Sequence, residues 1–246
     1  MTLSPLRVEH AGDRTVVTLD RPEVRNAIDQ ATVDALHAVC DDLERNPRTL
    51  ILLGAGGVFA SGADIAELRD RRAADARRAI NQAIFLRIHA LPMPVIAALD
   101  GYALGGGAEL AYAADLRIAT PALKIGNPET GLGIIAAAGA TWRLPAIVGE
   151  ARAAEMLLTG RILDADEALS WGLVSALHPA DGLRTAAHTL ADRIARNDPL
   201  ATRYTKQVLQ TEPLDQPALV NELQAELFES PEKIRRMTAF LERRAR

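Results

Sequence analysis

Apolar positions along this chain follow two alternating rhythms. Residues 6–10 and 15–19 are short apolar-rich segments parted by Ala11-Gly12-Asp13, which predicts a hairpin at the start of a sheet. Over residues 28–43 the apolar positions recur at helical spacing, Asn46-Pro47 interrupts, and residues 49–53 form a continuous β-type run. The rhythm then repeats. A helix is predicted over residues 75–90, Leu91-Pro92-Met93-Pro94 stops it, and residues 95–99 read as a buried strand leading into a glycine-rich turn. A short strand follows at residues 116–119. Such alternation predicts an α/β fold in which successive strand–helix turns stack on one another. After Ala140 the signals are helical apart from a strand expected at residues 173–177, with Asn197-Asp198-Pro199 and Glu212-Pro213 marking helix boundaries. The chain therefore reads as a core over residues 1–190 and a helical extension over residues 191–246. The last helix, residues 231–244, places Ile234, Met237, Phe240 and Leu241 on one face, which something must cover.

Composition narrows the class of protein. With 246 residues, 48% of them hydrophobic, the chain can bury a sizeable core. Its net charge is −4, and Arg69, Arg71, Arg72, Arg77 and Arg78 are interrupted by Asp70 and Asp75. A solvated helix face accounts for that run better than nucleic-acid binding, while leaving room for a small anionic ligand. Residues 1–10 carry no secretory pattern, and the apolar passage at residues 131–140 is far shorter than the ~20 residues of a membrane helix. A cytoplasmic protein off the membrane is expected. Cys40, in register with Val33, Leu36 and Leu43, has no second thiol in the chain and reads as a core side chain. The five histidines form no cluster of metal-ligand type, so no metal site is expected.

Two glycine-rich turns follow strands: Phe59-Ala60-Ser61-Gly62-Ala63-Asp64, and Gly105-Gly106-Gly107 leading into Ala108-Glu109-Leu110. Each either permits close packing or presents backbone N–H groups where a helix begins; two such amides aimed at one point would make an oxyanion hole. Gly54-Ala55-Gly56 starts like a dinucleotide fingerprint, but Phe59 stands where its last glycine belongs, and the triple glycine lacks the lysine and hydroxyl of a phosphate-binding loop. Glu109 and Glu129 both adjoin glycine-rich or apolar sequence. They are either solvated or held together in one apolar cleft, where desolvation and repulsion would separate their pKa values for acid/base work.

The stretch Ala98-Leu99-Asp100-Gly101-Tyr102-Ala103-Leu104-Gly105-Gly106-Gly107-Ala108-Glu109-Leu110, continuing through Ala114-Asp115-Leu116-Arg117-Ile118-Ala119, resembles the signature of the enoyl-CoA hydratase/isomerase (crotonase) family. Asn127-Pro128-Glu129 to Gly133, then Gly139 and Arg143-Leu144, resembles the segment that follows it there. Asp20-Arg21-Pro22, Asn26-Ala27, Leu158-Thr159-Gly160 and residues 168–174 fit in order. The resemblance implies a spiral of repeated strand-strand-helix turns with a C-terminal helical region that forms homotrimers, often paired as hexamers. It implies an acyl-CoA substrate, a place in lipid metabolism and no cofactor besides the coenzyme A of the substrate. It also implies that the amides of Ala63 and Gly106 hold the thioester oxygen, that Glu109 activates water, that Glu129 protonates C2, and that Arg25, Ala27, Ala63, Asp64, Ile65 and Gly105 contact the coenzyme A thioester. Together these imply hydration of trans-2-enoyl-CoA to 3-hydroxyacyl-CoA. An isomerase or another acyl-CoA lyase of the family is the alternative. Departures from the pattern are Ala66 for a lysine near the coenzyme, Ala136-Ala137 for Pro-Gly, Ala140 for a glycine, and Arg235-Arg236 for Glu-Gly.

Overall fold

The computed structural model describes residues 4–244; the first three residues of the segment read for a secretory pattern lie outside it. The chain opens with β1 (Leu6–Ala11) and β2 (Arg14–Leu19), an antiparallel pair in which Leu6 faces Leu19, as expected of the hairpin. α1 (Gln30–Arg45) is capped by the Asp29 carboxylate, which accepts from Thr32 N, and it turns Val33, Leu36, Cys40 and Leu43 into the core. β3 (Thr49–Gly54) follows. Three helices come next, α2 (Ile65–Asp70), α3 (Ala73–Arg78) and α4 (Ile80–His89), before β4 (Val95–Leu99).

The single helix expected over residues 75–90 is therefore two. Ala79 adopts the left-handed conformation, φ 53°, and separates α3 from α4. No glycine or proline marks the break, and an alanine there costs about 1–2 kcal/mol of backbone strain. Beyond β4 the chain alternates between two sheets: β5 (Tyr102–Leu104), α5 (Gly106–Ala113), β6 (Leu116–Ala119) and β7 (Lys124–Gly126), then α6 (Ala140–Val148), α7 (Glu150–Thr159), β8 (Ile162–Asp164) and α8 (Ala165–Ser170). The first sheet runs β1-β2-β3-β4-β6 and is parallel from β2 onward; the second runs β5-β7-β8. β4 thus hands the chain to β5 and β6 hands it to β7, with α5 returning it between them, a strand-strand-helix turn. Single bridges from Ile28 to Ala63 and from Ala60 to Ala103 carry the second layer into earlier turns. The strand expected at residues 173–177 does not form. Its place is a loop joined to β6 by the Ala119–Leu177 bridge, by backbone hydrogen bonds, and by the Arg117 guanidinium donating to Leu173 O and the Ser175 hydroxyl donating to Arg117 O.

α9 (Leu183–Ala195), α10 (Pro199–Leu209), α11 (Gln216–Glu229) and α12 (Pro231–Arg244) complete the chain. It divides into two compact units, residues 1–191 and 192–246. Within the second unit, Arg236 donates to Glu232 and to the Arg196 carbonyl, so the charge added by this departure from the family pattern is locally answered. Among the described residues no helix is long and apolar enough to cross a membrane.

Candidate active site

The site is assembled where three strand-to-helix turns meet. Gly105, at φ 51° and ψ −123°, makes the sharp exit from β5 into α5, a conformation that favours glycine. Gly107 is required for a different reason: a Cβ there would lie 2.2 Å from the Ala60 carbonyl oxygen, so α5 can sit this close only without one. Ala60 N donates to Tyr102 O (3.0 Å) and Leu104 N to Ala60 O (3.1 Å), tying the 59–64 loop to β5. On its other side Ile28 N donates to Gly62 O (2.8 Å) and Asp64 N to Ile28 O (3.2 Å). The Asp64 carboxylate caps α2 by accepting from Ala66 N and Glu67 N.

Those bonds leave two amides over. Neither Ala63 N–H nor Gly106 N–H finds an acceptor among the described residues, and a Cβ built on Gly106 would lie only 3.4 Å from Ala63 N. Two uncommitted donors side by side, one of them in the first turn of α5, form a pocket for negative charge on a single oxygen.

Opposite them stand the carboxylates. Every residue of α5 is buried, Glu109 in its first turn included. Glu109 Oε1 accepts from Ala138 N (2.7 Å) and Ala140 N (3.2 Å), so alanine in place of glycine at residue 140 preserves the N–H that holds this carboxylate. Burial nevertheless dominates. It pushes the Glu109 pKa up to about 7, with the amide of Ala140 opposing the shift and the nearby charge of Glu129 adding to it. Glu129 sits in a short 3-10 turn, Pro128–Leu132, and burial raises its pKa as well. Its Oε1 receives a long 3.4 Å hydrogen bond from Asn127 Nδ2, while Oε2 is buried with no partner. Asn127 is oriented by the Tyr112 hydroxyl, which donates to its Oδ1 at 3.1 Å. A Cβ on Gly105 would come within 3.1 Å of Glu129 Oε1, a second reason for glycine at that corner.

A cleft of about 530 Å³ joins these groups; Ala63, Gly106, Glu109 and Glu129 all line it, with Ile134, Ile135 and Leu68 among its apolar walls. The structure thus brings together the four residues expected to do the chemistry. Arg25, Ala27, Asp64, Ile65 and Gly105 do not line this cleft. Residues 25–28 run beside the 61–64 loop through the Ser61 N to Arg25 O and Ile28 N to Gly62 O bonds, and Ile65 is 59% exposed. Ala66 is exposed on α2. Two residues of the site were not singled out from sequence: Tyr112, one turn beyond Glu109, and Asn81, a polar side chain between Ile80 and Ile84 in α4 that lines the cleft; Asn127, two before Glu129, stood in a quoted family segment but was given no role. The helical interval from Glu109 to Tyr112 was the only local signal for either of the two.

The enoyl-CoA hydratase/isomerase family pattern matches residues 13–246. A short-chain-enoyl-CoA hydratase of Clostridium acetobutylicum is 36% identical over 253 aligned residues, which cover 99% of this chain and 97% of that protein. A crotonyl-CoA hydratase of Syntrophomonas wolfei is 38% identical over 240, covering 93% and 92%. The crystal structure of an enoyl-CoA hydratase from Bacillus anthracis superposes with a TM-score of 0.92 at 32% identity, covering 97% of this chain and 96% of that one.

Proposed function

The chain belongs to the enoyl-CoA hydratase/isomerase family, and from that premise we propose that it is an enoyl-CoA hydratase in which Glu109 and Glu129 work against an oxyanion hole formed by the amides of Ala63 and Gly106. The observation that carries this reading is the pairing, across one cleft, of two acceptor-less amides with two carboxylates whose pKa values burial has raised.

The thioester oxygen of a trans-2-enoyl-CoA accepts from the two amides, which draws electrons from C3. Glu109, ionised above a pKa of about 7, takes a proton from water as its oxygen bonds to C3. The C2–C3 π electrons move onto the thioester oxygen, and the amides stabilise that enolate without any ionisable group of their own. The enolate collapses as C2 takes a proton from Glu129, whose raised pKa favours the protonated form and whose Oε2 has no competing partner. Water has been added across the bond to give a 3-hydroxyacyl-CoA. No net electron leaves or enters, so the reaction as written calls for no redox cofactor.

Arg25, Ala27, Asp64, Ile65 and Gly105 we assign to the strip along which the rest of the coenzyme A lies, and the enzyme to the cytoplasm. The second unit we assign to homotrimer formation, with pairing of trimers into hexamers, since α12 leaves its apolar face open. Incubating the protein with crotonyl-CoA and identifying the product by mass tests the activity: a gain of one water is expected. A product of unchanged mass with a shifted double bond would identify an isomerase, and no turnover of any enoyl-CoA would end the reading.

A further inference from the structure

Asn81 enters the cleft from α4 with its side chain already committed on one side. Arg71 Nη1 donates to Asn81 Oδ1 at 3.2 Å, and Arg71 itself lies 3.7 Å from the Glu67 carboxylate. A guanidinium has only donors, so the oxygen of the Asn81 amide must face Arg71 and its nitrogen must face away. That nitrogen, Nδ2, is buried with no hydrogen-bond partner, and it lies 3.8 Å from the position a Cβ would take on Gly106. The same Cβ position is 3.4 Å from Ala63 N. Two N–H donors without acceptors, Ala63 N and Asn81 Nδ2, therefore lie within 3.8 Å of one point beside Gly106, whose own N–H also lacks an acceptor. Burying an amide donor in this way is unfavourable unless something arrives to accept from it, and nothing in the described chain does.

We propose that Asn81 is a third donor to the substrate oxygen at the Ala63–Gly106 site, with Arg71 as the residue that positions it; this rests on the hydratase reading above. A ground-state carbonyl oxygen has two lone pairs and is satisfied by the two backbone amides. An enolate oxygen has three, so the third donor gains its acceptor as charge develops. Asn81 therefore acts on the transition state more than on the bound substrate, and its removal lowers kcat with little change in KM.

Two variants test this. Asn81→Asp keeps the shape and the acceptor for Arg71 but turns the donor into an acceptor; Asn81→Leu removes both. Hydration of crotonyl-CoA is measured for parent and variants, together with the absorbance change of a conjugated aryl-enoyl-CoA on binding, which reports polarisation of its carbonyl. Expected for both variants are a fall in kcat of about 10²-fold, KM within about threefold, and a smaller absorbance shift at saturation. Asn81→Asp decides the matter if Asn81→Leu does not fold. Parental kcat and an undiminished shift overturn the proposal. So does a loss confined to KM, or a loss seen only with acyl chains that carry an extra oxygen, which would make Asn81 a reader of the acyl group. A parent protein that hydrates no enoyl-CoA removes the hydratase reading and this inference together; an active parent with unaffected variants removes only the role of Asn81.

Discussion

α5 and α12 are both helices that carry apolar residues beside charged ones, yet they stand at opposite ends of the range of burial. All eight residues of α5 are buried, and none of the fourteen of α12 is. In α5 the one charged residue, Glu109, is held by two backbone amides and pushed toward neutrality, so its burial serves chemistry. In α12 Ile234, Met237, Phe240 and Leu241 are each more than half exposed although they share one face. The first helix is packed within the chain by tight glycine contacts and finds partners there for its carboxylate. The second has an apolar stripe of the kind a partner covers. The difference teaches that one chain brings the candidate catalytic groups together in its core while leaving an apolar stripe exposed on its last helix.

The sharpest way to break the comparison is to alter the carboxylates. Glu109→Gln and Glu129→Gln keep the shape but cannot exchange the proton, so each should lower hydration by ~10²–10⁴-fold, and the double variant should be little worse than the poorer single one. A Glu109→Gln enzyme that hydrates at the parental rate would remove Glu109 from the mechanism. A smaller loss is expected from the backbone side. Gly106→Pro occupies the first helical position, where proline is tolerated, and deletes the N–H, so a folded variant should lose ~10²–10³-fold in turnover. Unchanged turnover in that variant would assign the oxygen to other donors.

The cost of burying Glu109 gives a third test. Its pKa rises from 4.5 to about 7 on folding, so the folded state binds the proton more tightly than the unfolded one. Stability from this group is full below pH 4.5 and is lost as pH climbs through about 7. Glu109→Gln should therefore match the parent in thermal unfolding at pH 4 and exceed it at pH 8, by no more than about 3 kcal/mol. Equal stability at pH 8 would show that the amides of Ala138 and Ala140 fully offset desolvation. The smallest effect on chemistry belongs to α12: Phe240→Glu with Leu241→Glu should convert a trimer or hexamer, by sedimentation velocity, into monomers. A parent that sediments as a monomer at micromolar concentration would remove the protomer interpretation of that face.

Much of this arrangement was legible along the chain. The hairpin, the strand–helix alternation, the amphipathic α1 and the apolar stripe of α12 follow from periodicity, because each is a local pattern several residues long. Glu109, Glu129, Ala63 and Gly106 were singled out by the resemblance of their motifs to the family, since the residues alone left each with a packing or solvated alternative. What remained hidden had no local signal. β5, β7 and β8 are three residues each, too short to show a period of two, and they exist because neighbouring turns of the spiral supply partners. The loop before Leu177 is apolar enough for a strand, but beside β6 only one bridge forms. Ala79 is a good helix former in its own right, so nothing in the local sequence marks the left-handed turn there that begins α4 with Ile80 and Asn81 against the cleft. The amino-acid order thus determined which groups could do acid/base chemistry and which backbone could turn sharply enough to present amides. Only the tertiary structure decided that burial would raise the Glu109 pKa to about 7, that two amides would be left without acceptors, and that Asn81, oriented by Arg71, would lie beside Gly106. Desolvation and unsatisfied hydrogen bonds depend on what surrounds a group from every side, and most of those neighbours are far away along the chain.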